Sequence, residues 1–200
     1  MSDLTNLLVE TGIVQFGRFQ HPTSERPFLL SLEYLPAYPE VLKRITQTIQ
    51  TRFEQKTAQR LVATTDAIPL GVALALNTGI SLVYSRGQGQ EAVYDLVGAY
   101  NIGHTAVLLT NVLENTAELS TFITMAQRVG LEIHTVLAVL DLGIGAALPG
   151  VQIKPLLTLS GIVQALLADK RLPSGQAHAV LTWIDAQHNQ ANLRPDAASP

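Results

Sequence analysis

Residues 106–140, AVLLTNVLENTAELSTFITMAQRVGLEIHTVLAVL, decide the fold. Ala106 to Leu109 is an unbroken apolar run, the pattern of a strand covered on both faces, and such strands belong to parallel sheets. Leu119, Phe122, Ile123 and Ala126 then recur at helical spacing until Gly130, and Ile133 to Leu140 is again apolar with several β-branched residues. Strand, helix, strand in this order predicts a right-handed crossover between parallel neighbours. The expected fold class is α/β, with a mostly parallel central sheet flanked by helices.

Working outward, Arg60 to Ala63 is a short β-prone run, Ile68 to Leu76 is an Ala/Leu-rich helix ending at Asn77 and Gly79, and Ile80 to Tyr84 is the next strand. Pro39 suits the first turn of a helix, on which Val41, Ile45, Ile49 and Phe53 repeat every fourth residue. Before it stand a short helix over Leu4 to Glu10, an extended stretch around Phe16 to Phe19 and a polar turn from His21 to Arg26. Ser85 to Gly98 is polar, glycine-bearing and without a period, and predicts a loop. Downstream, Val151 to Leu157 reads as a strand and Leu159 to Asp169 as a helix, and Ser174 caps a last helix through Trp183 and Ile184. No internal repeat or domain boundary is visible, so one domain is expected over 1–187, with a polar, flexible tail over 188–200.

Composition removes several classes of function. With 200 residues, 47% of them apolar and 14% charged, the chain has enough material for a real core. Thirteen Lys and Arg against 16 Asp and Glu give a net charge of −3, so no basic surplus points to nucleic acid or an anionic membrane. Tyr94, Tyr100 and Trp183 are too dispersed for a base-stacking platform. The absence of cysteine excludes disulfides, thiolate metal sites and cysteine nucleophiles. His21, His104, His134, His178 and His188 show no short paired spacing, so no metal is predicted. Neither a leader pattern nor a run of about 18 apolar residues is found, which makes a cytoplasmic protein the expectation.

In an open parallel sheet, ligands bind at the carboxyl ends of the strands, here the turns after Ala63, Tyr84, Leu109 and Leu140. Around those turns, Leu8 to Phe19 (LVETGIVQFGRF), Ala67 to Tyr84 (AIPLGVALALNTGISLVY), Val97 to Gly103 (VGAYNIG) and Gln152 to Leu166 resemble the orotate phosphoribosyltransferase family, in order and with nearly its spacing. The resemblance spans roughly residues 4 to 187. It implies a type I phosphoribosyltransferase fold with a small N-terminal hood, a homodimer, and the conversion of orotate and phosphoribosyl diphosphate, with Mg²⁺, to orotidine 5′-phosphate and diphosphate.

Residue by residue, the match departs from what that reaction needs. Where the family's acidic pair holds the ribose hydroxyls, this chain has Thr110 and Asn111, which keep hydrogen-bonding capacity without charge. The loop that wraps the 5′-phosphate reads Glu114-Asn115-Thr116-Ala117-Glu118, so an entering phosphate is expected to meet carboxylates. Asp66 stands where many relatives carry a diphosphate-binding lysine, and Leu142 stands where the family's arginine reads orotate. Arg86 survives alone from an Arg-Lys pair before the mobile loop. Arg26, in Ser24-Glu25-Arg26-Pro27, is a partial substitute for a lysine near orotate, although the two cations are not interchangeable at a shaped site.

Each position also has a plainer reading. An arginine at a loop edge, like Arg86, is commonly just solvated. Thr110, Asn111, Asn115 and Thr116 form either a neutral hydrogen-bonding pocket or turn residues, with Asn115 or Thr116 as the cap of the next helix. Glu114 and Glu118 either bind a cation or, as carboxylates near the first turn of a helix commonly do, serve its dipole, and the dipole is the expected role. Asp95 and Asp141 are expected as turn or cap residues, and no catalytic residue is assigned.

The leading expectation is a degenerate member of the family that has lost phosphoribosyl diphosphate binding and catalysis and works as a binding, regulatory or assembly protein. No cofactor is then needed. The alternative is an active phosphoribosyltransferase that uses Mg²⁺ with phosphoribosyl diphosphate and holds phosphate through Arg86, Arg26 and backbone amides. A third class, a purely structural interaction module, draws on the mean hydropathy of +0.23 at low charge and predicts an apolar surface for self-association or a protein partner.

Overall fold

The computed structural model describes residues 3–21, 24–52, 58–86, 96–114, 116–145 and 147–192. After helix α1 (Asp3–Glu10), strands β1 (Val14–His21) and β2 (Ser24–Leu30) pair antiparallel as a separate two-stranded hairpin. A 3-10 segment over Leu32–Ala37 leads into helix α2 (Pro39–Arg52). Then come β3 (Arg60–Ala63), α3 (Ile68–Thr78), β4 (Ser81–Ser85), β5 (Leu96–Val97), β6 (His104–Leu113), α4 (Thr116–Arg128), β7 (Leu131–Asp141), β8 (Gln152–Thr158), α5 (Leu159–Ala168) and α6 (Ser174–Asn192).

The main sheet has the order β5-β4-β3-β6-β7-β8, and all its pairings are parallel except that of β5 with β4. The apolar runs are explained by what covers them. Leu61, Ala63, Val107 and Leu109 point into a cluster with Val41, Ile45 and Ile49 of α2 and Leu70 and Leu74 of α3. Val62, Ala106, Leu108, Val136 and Ala138 point the other way, onto Phe122, Ile123 and Ala126 of α4. Burial of each Leu or Ile contributes about 1.5–3 kcal/mol, so the two-sided cover is what makes β3, β6 and β7 the centre of the molecule. Pro155 cannot donate to a ladder, and β8 accommodates it as an edge strand. Gly79 ends α3 in the left-handed region (φ 73°), its N–H donating to the Ala75 carbonyl at 2.9 Å, a conformation that favours glycine.

Four features differ from the sequence-based expectation. His21 to Arg26 is no simple turn: β1 runs through His21 and β2 begins at Ser24, which puts Arg26 inside a strand opposite Phe19. Leu96 and Val97, expected in a loop, pair with Ser85 and Tyr84 as β5, a strand too short to leave a period in the sequence. β6 continues through Leu113 because Thr110, Val112 and Leu113 keep their register with Ala138, Leu140 and Asp141 of β7. The last helix runs on to Asn192, into the expected tail, since no proline interrupts it before Pro195.

Candidate functional site at the carboxyl ends of the strands

The turn after β3, the end of β4, the end of β6 and the end of β7 open on the same edge of the sheet, as parallel strands require. Thr64, Thr65 and Asp66 follow β3, and Arg86 follows β4 at an exposed position. Thr110 and Asn111, expected in a turn, lie within β6 and are buried, while Glu114 stands just past its end. Asp141 closes β7, where its Oδ1 accepts the Gly143 N–H at 2.8 Å, in the turn role expected of it.

Asp66 and Asn111 are locked to each other. The Asn111 backbone N–H donates to Asp66 Oδ2 at 3.0 Å, and the Asn111 side-chain amide donates to the Asp66 carbonyl at 2.6 Å. Thr64 adds its hydroxyl, 2.5 Å from Asp66 Oδ1 and 3.1 Å from the Leu109 carbonyl, and its N–H also donates to that carbonyl at 3.1 Å. Thr65 donates to the Ser85 carbonyl at 3.2 Å, tying the same turn to β4. The strand-end turn is therefore closed by its own residues. Asn111, 4% exposed, keeps a buried Oδ1 without a hydrogen-bond partner. The Thr110 hydroxyl donates over a long 3.3 Å to the Val112 carbonyl.

Glu114 and Arg26 form the second closure. The guanidinium of Arg26 on β2 grips both carboxylate oxygens of Glu114, Nη2 against Oε1 and Nη1 to Oε2 at 3.2 Å. The Arg26 side chain is 13% exposed and its Cζ lies 5.5 Å from the ring centroid of Trp183 on α6. Trp183 in turn meets Phe28 edge to face, with centroids 4.9 Å apart at 85°. Helix, hairpin and main sheet thus converge on one cation. The expectation that Glu114 serves the dipole of the next helix is corrected: its carboxylate is committed to Arg26, and a phosphate there would not meet a lone anion.

Leu142 is 1% exposed and packs with Leu140, Ile162, Val163 and Val180. The position is core. Thr116 opens α4 as its first residue and is buried, so it is part of the helix and not the cap before it; Asn115 lies outside the described residues. Ala117 and Glu118 are exposed in the first turn of α4. The structure thus joins Asp66 with Asn111, and Arg26 with Glu114, and makes Leu142 part of the core. Sequence reading missed Thr64 and Trp183. Thr64 had a usable signal, being an oxygen-bearing side chain directly after a strand, whereas nothing local links Trp183 to Arg26.

Among the described residues, no group of three or more metal-ligating side chains stands together, and no helix is long and apolar enough to cross a membrane.

No protein-family model matches the chain, and no curated protein matches its sequence. Solved structures do match in three dimensions. Leishmania donovani UMP synthase superposes with a TM-score of 0.77 and 17% identity over 92% of this chain, which spans only 42% of that protein. Orotate phosphoribosyltransferase from Aeropyrum pernix gives 0.70 at 20% identity, over 82% of this chain and 98% of that one. The Francisella tularensis orotate phosphoribosyltransferase gives 0.71 at 12% identity, over 93% and 96% of the two chains. At such identities the likeness establishes the fold, which is the phosphoribosyltransferase fold expected from the sequence.

Proposed function

We propose that this chain, built on the fold of a phosphoribosyltransferase, no longer binds phosphoribosyl diphosphate or catalyses its transfer, and acts as a binding, regulatory or assembly protein. The observation that carries this reading is the two-point pairing in which Asn111 donates both hydrogen bonds to Asp66. A diphosphate needs cations and amide donors, because unpaired anionic oxygens are expensive to desolvate. In the turn after β3 the Asn111 N–H is already spent on a carboxylate, and Asp66 adds a negative charge. Like charges about 4 Å apart cost on the order of 1–4 kcal/mol, a weakening of roughly five- to a thousandfold. Arg26 offers no relief, being held by Glu114.

A self-associating or partner-binding role draws support from apolar side chains left at the surface, among them Leu76 at 82% exposed and Val72 one turn before it on α3. A homodimer and a cytoplasmic setting belong to the proposal. Sedimentation at increasing concentration tests the dimer: one monomeric species throughout removes it.

The second reading, an active phosphoribosyltransferase with Mg²⁺ and a divergent site, has one observation on its side, the exposed Arg86 directly after β4. Calorimetric titration with phosphoribosyl diphosphate and Mg²⁺, then with orotidine 5′-phosphate, separates the two. No binding up to millimolar ligand is expected. Micromolar binding, followed by orotate turnover that is lost in Arg86→Ala, would establish the active enzyme instead.

A further inference from the structure

We draw no further inference here: the strongest candidate, the small cavity that Phe19, Phe28, Leu30 and Val112 line beside the Arg26–Glu114 pair, belongs to the site already described.

Discussion

Arg26 and Glu114 hold each other through both guanidinium Nη atoms and both carboxylate oxygens, and the pair joins the hairpin sheet to the end of the central strand β6. The cation is mostly buried while Glu114 is 39% exposed, so the attraction is stronger than that of a surface pair and weaker than that of a fully buried one. Arg26→Ala and Glu114→Ala should each lower the unfolding free energy by about 1–3 kcal/mol, with a coupling of about 1 kcal/mol in the double variant. Arg26→Lys should recover less than half, since an ammonium cannot make the fork. Urea denaturation of the four variants beside the unaltered chain checks this, and additive losses would mean that the two residues act separately.

The Asp66 and Asn111 pairing gives a prediction with a built-in rescue. Asn111→Asp replaces the amide that donates to the Asp66 carbonyl and sets a second carboxylate beside the first. A loss of about 2–4 kcal/mol is expected. Adding Asp66→Lys turns the repulsion into an attraction and should return at least half of it. The same logic governs any attempt to rebuild the phosphate site. Thr110→Glu, Asn111→Asp and Glu114→Thr together should leave affinity for phosphoribosyl diphosphate undetectable, and the gain should appear only when Asp66→Lys is included. A gain from the triple variant alone would show that Asp66 is not the obstacle.

The loop after β7 lies tightly on the start of α4. A Cβ on Gly145 would sit 2.4 Å from Thr116 Cγ2 and 3.3 Å from its Oγ1. Gly145→Ala should therefore cost about 1–3 kcal/mol by overpacking. Thr116→Ser removes the clashing methyl while keeping the hydroxyl, so the double variant should regain most of that loss in thermal unfolding. If it does not, the strain lies in the backbone of the loop.

The elements that build the main sheet were legible because their cause is local. The runs at 61–63 and 106–109 are apolar on both faces since helices cover both, and the four-residue repeat of Val41, Ile45 and Ile49 is the buried stripe of α2. What escaped was set by distant partners. β6 extends over Thr110 and Asn111 because β7 pairs with it that far, and Arg26 sits in a strand because Phe19 stands opposite. The substitutions at the site were visible, but their meaning was not: an aspartate and a glutamate read singly suggest repulsion, whereas in the fold each has a partner from another element. Leu142 shows the converse, since its apolar side chain marked the loss of a charged reader without revealing that the position had joined the core.

That last position allows a decisive substitution. Leu142 continues the β6–β7 connection through its N–H, which donates to the Leu113 carbonyl at 3.2 Å, while its side chain is enclosed by aliphatic residues of α5 and α6. Leu142→Arg would place a guanidinium among Ile162, Val163 and Val180, where no carboxylate partner is described. The expected cost is at least about 3 kcal/mol, enough to remove much of a typical domain's stability. Leu142→Met, which keeps the volume and polarity, should stay within about 1.5 kcal/mol of the unaltered chain. Denaturant midpoints of the two variants decide the matter. A Leu142→Arg protein as stable as the unaltered one would mean that the new side chain reaches solvent, and that the carboxyl end of β7 still opens on a ligand site.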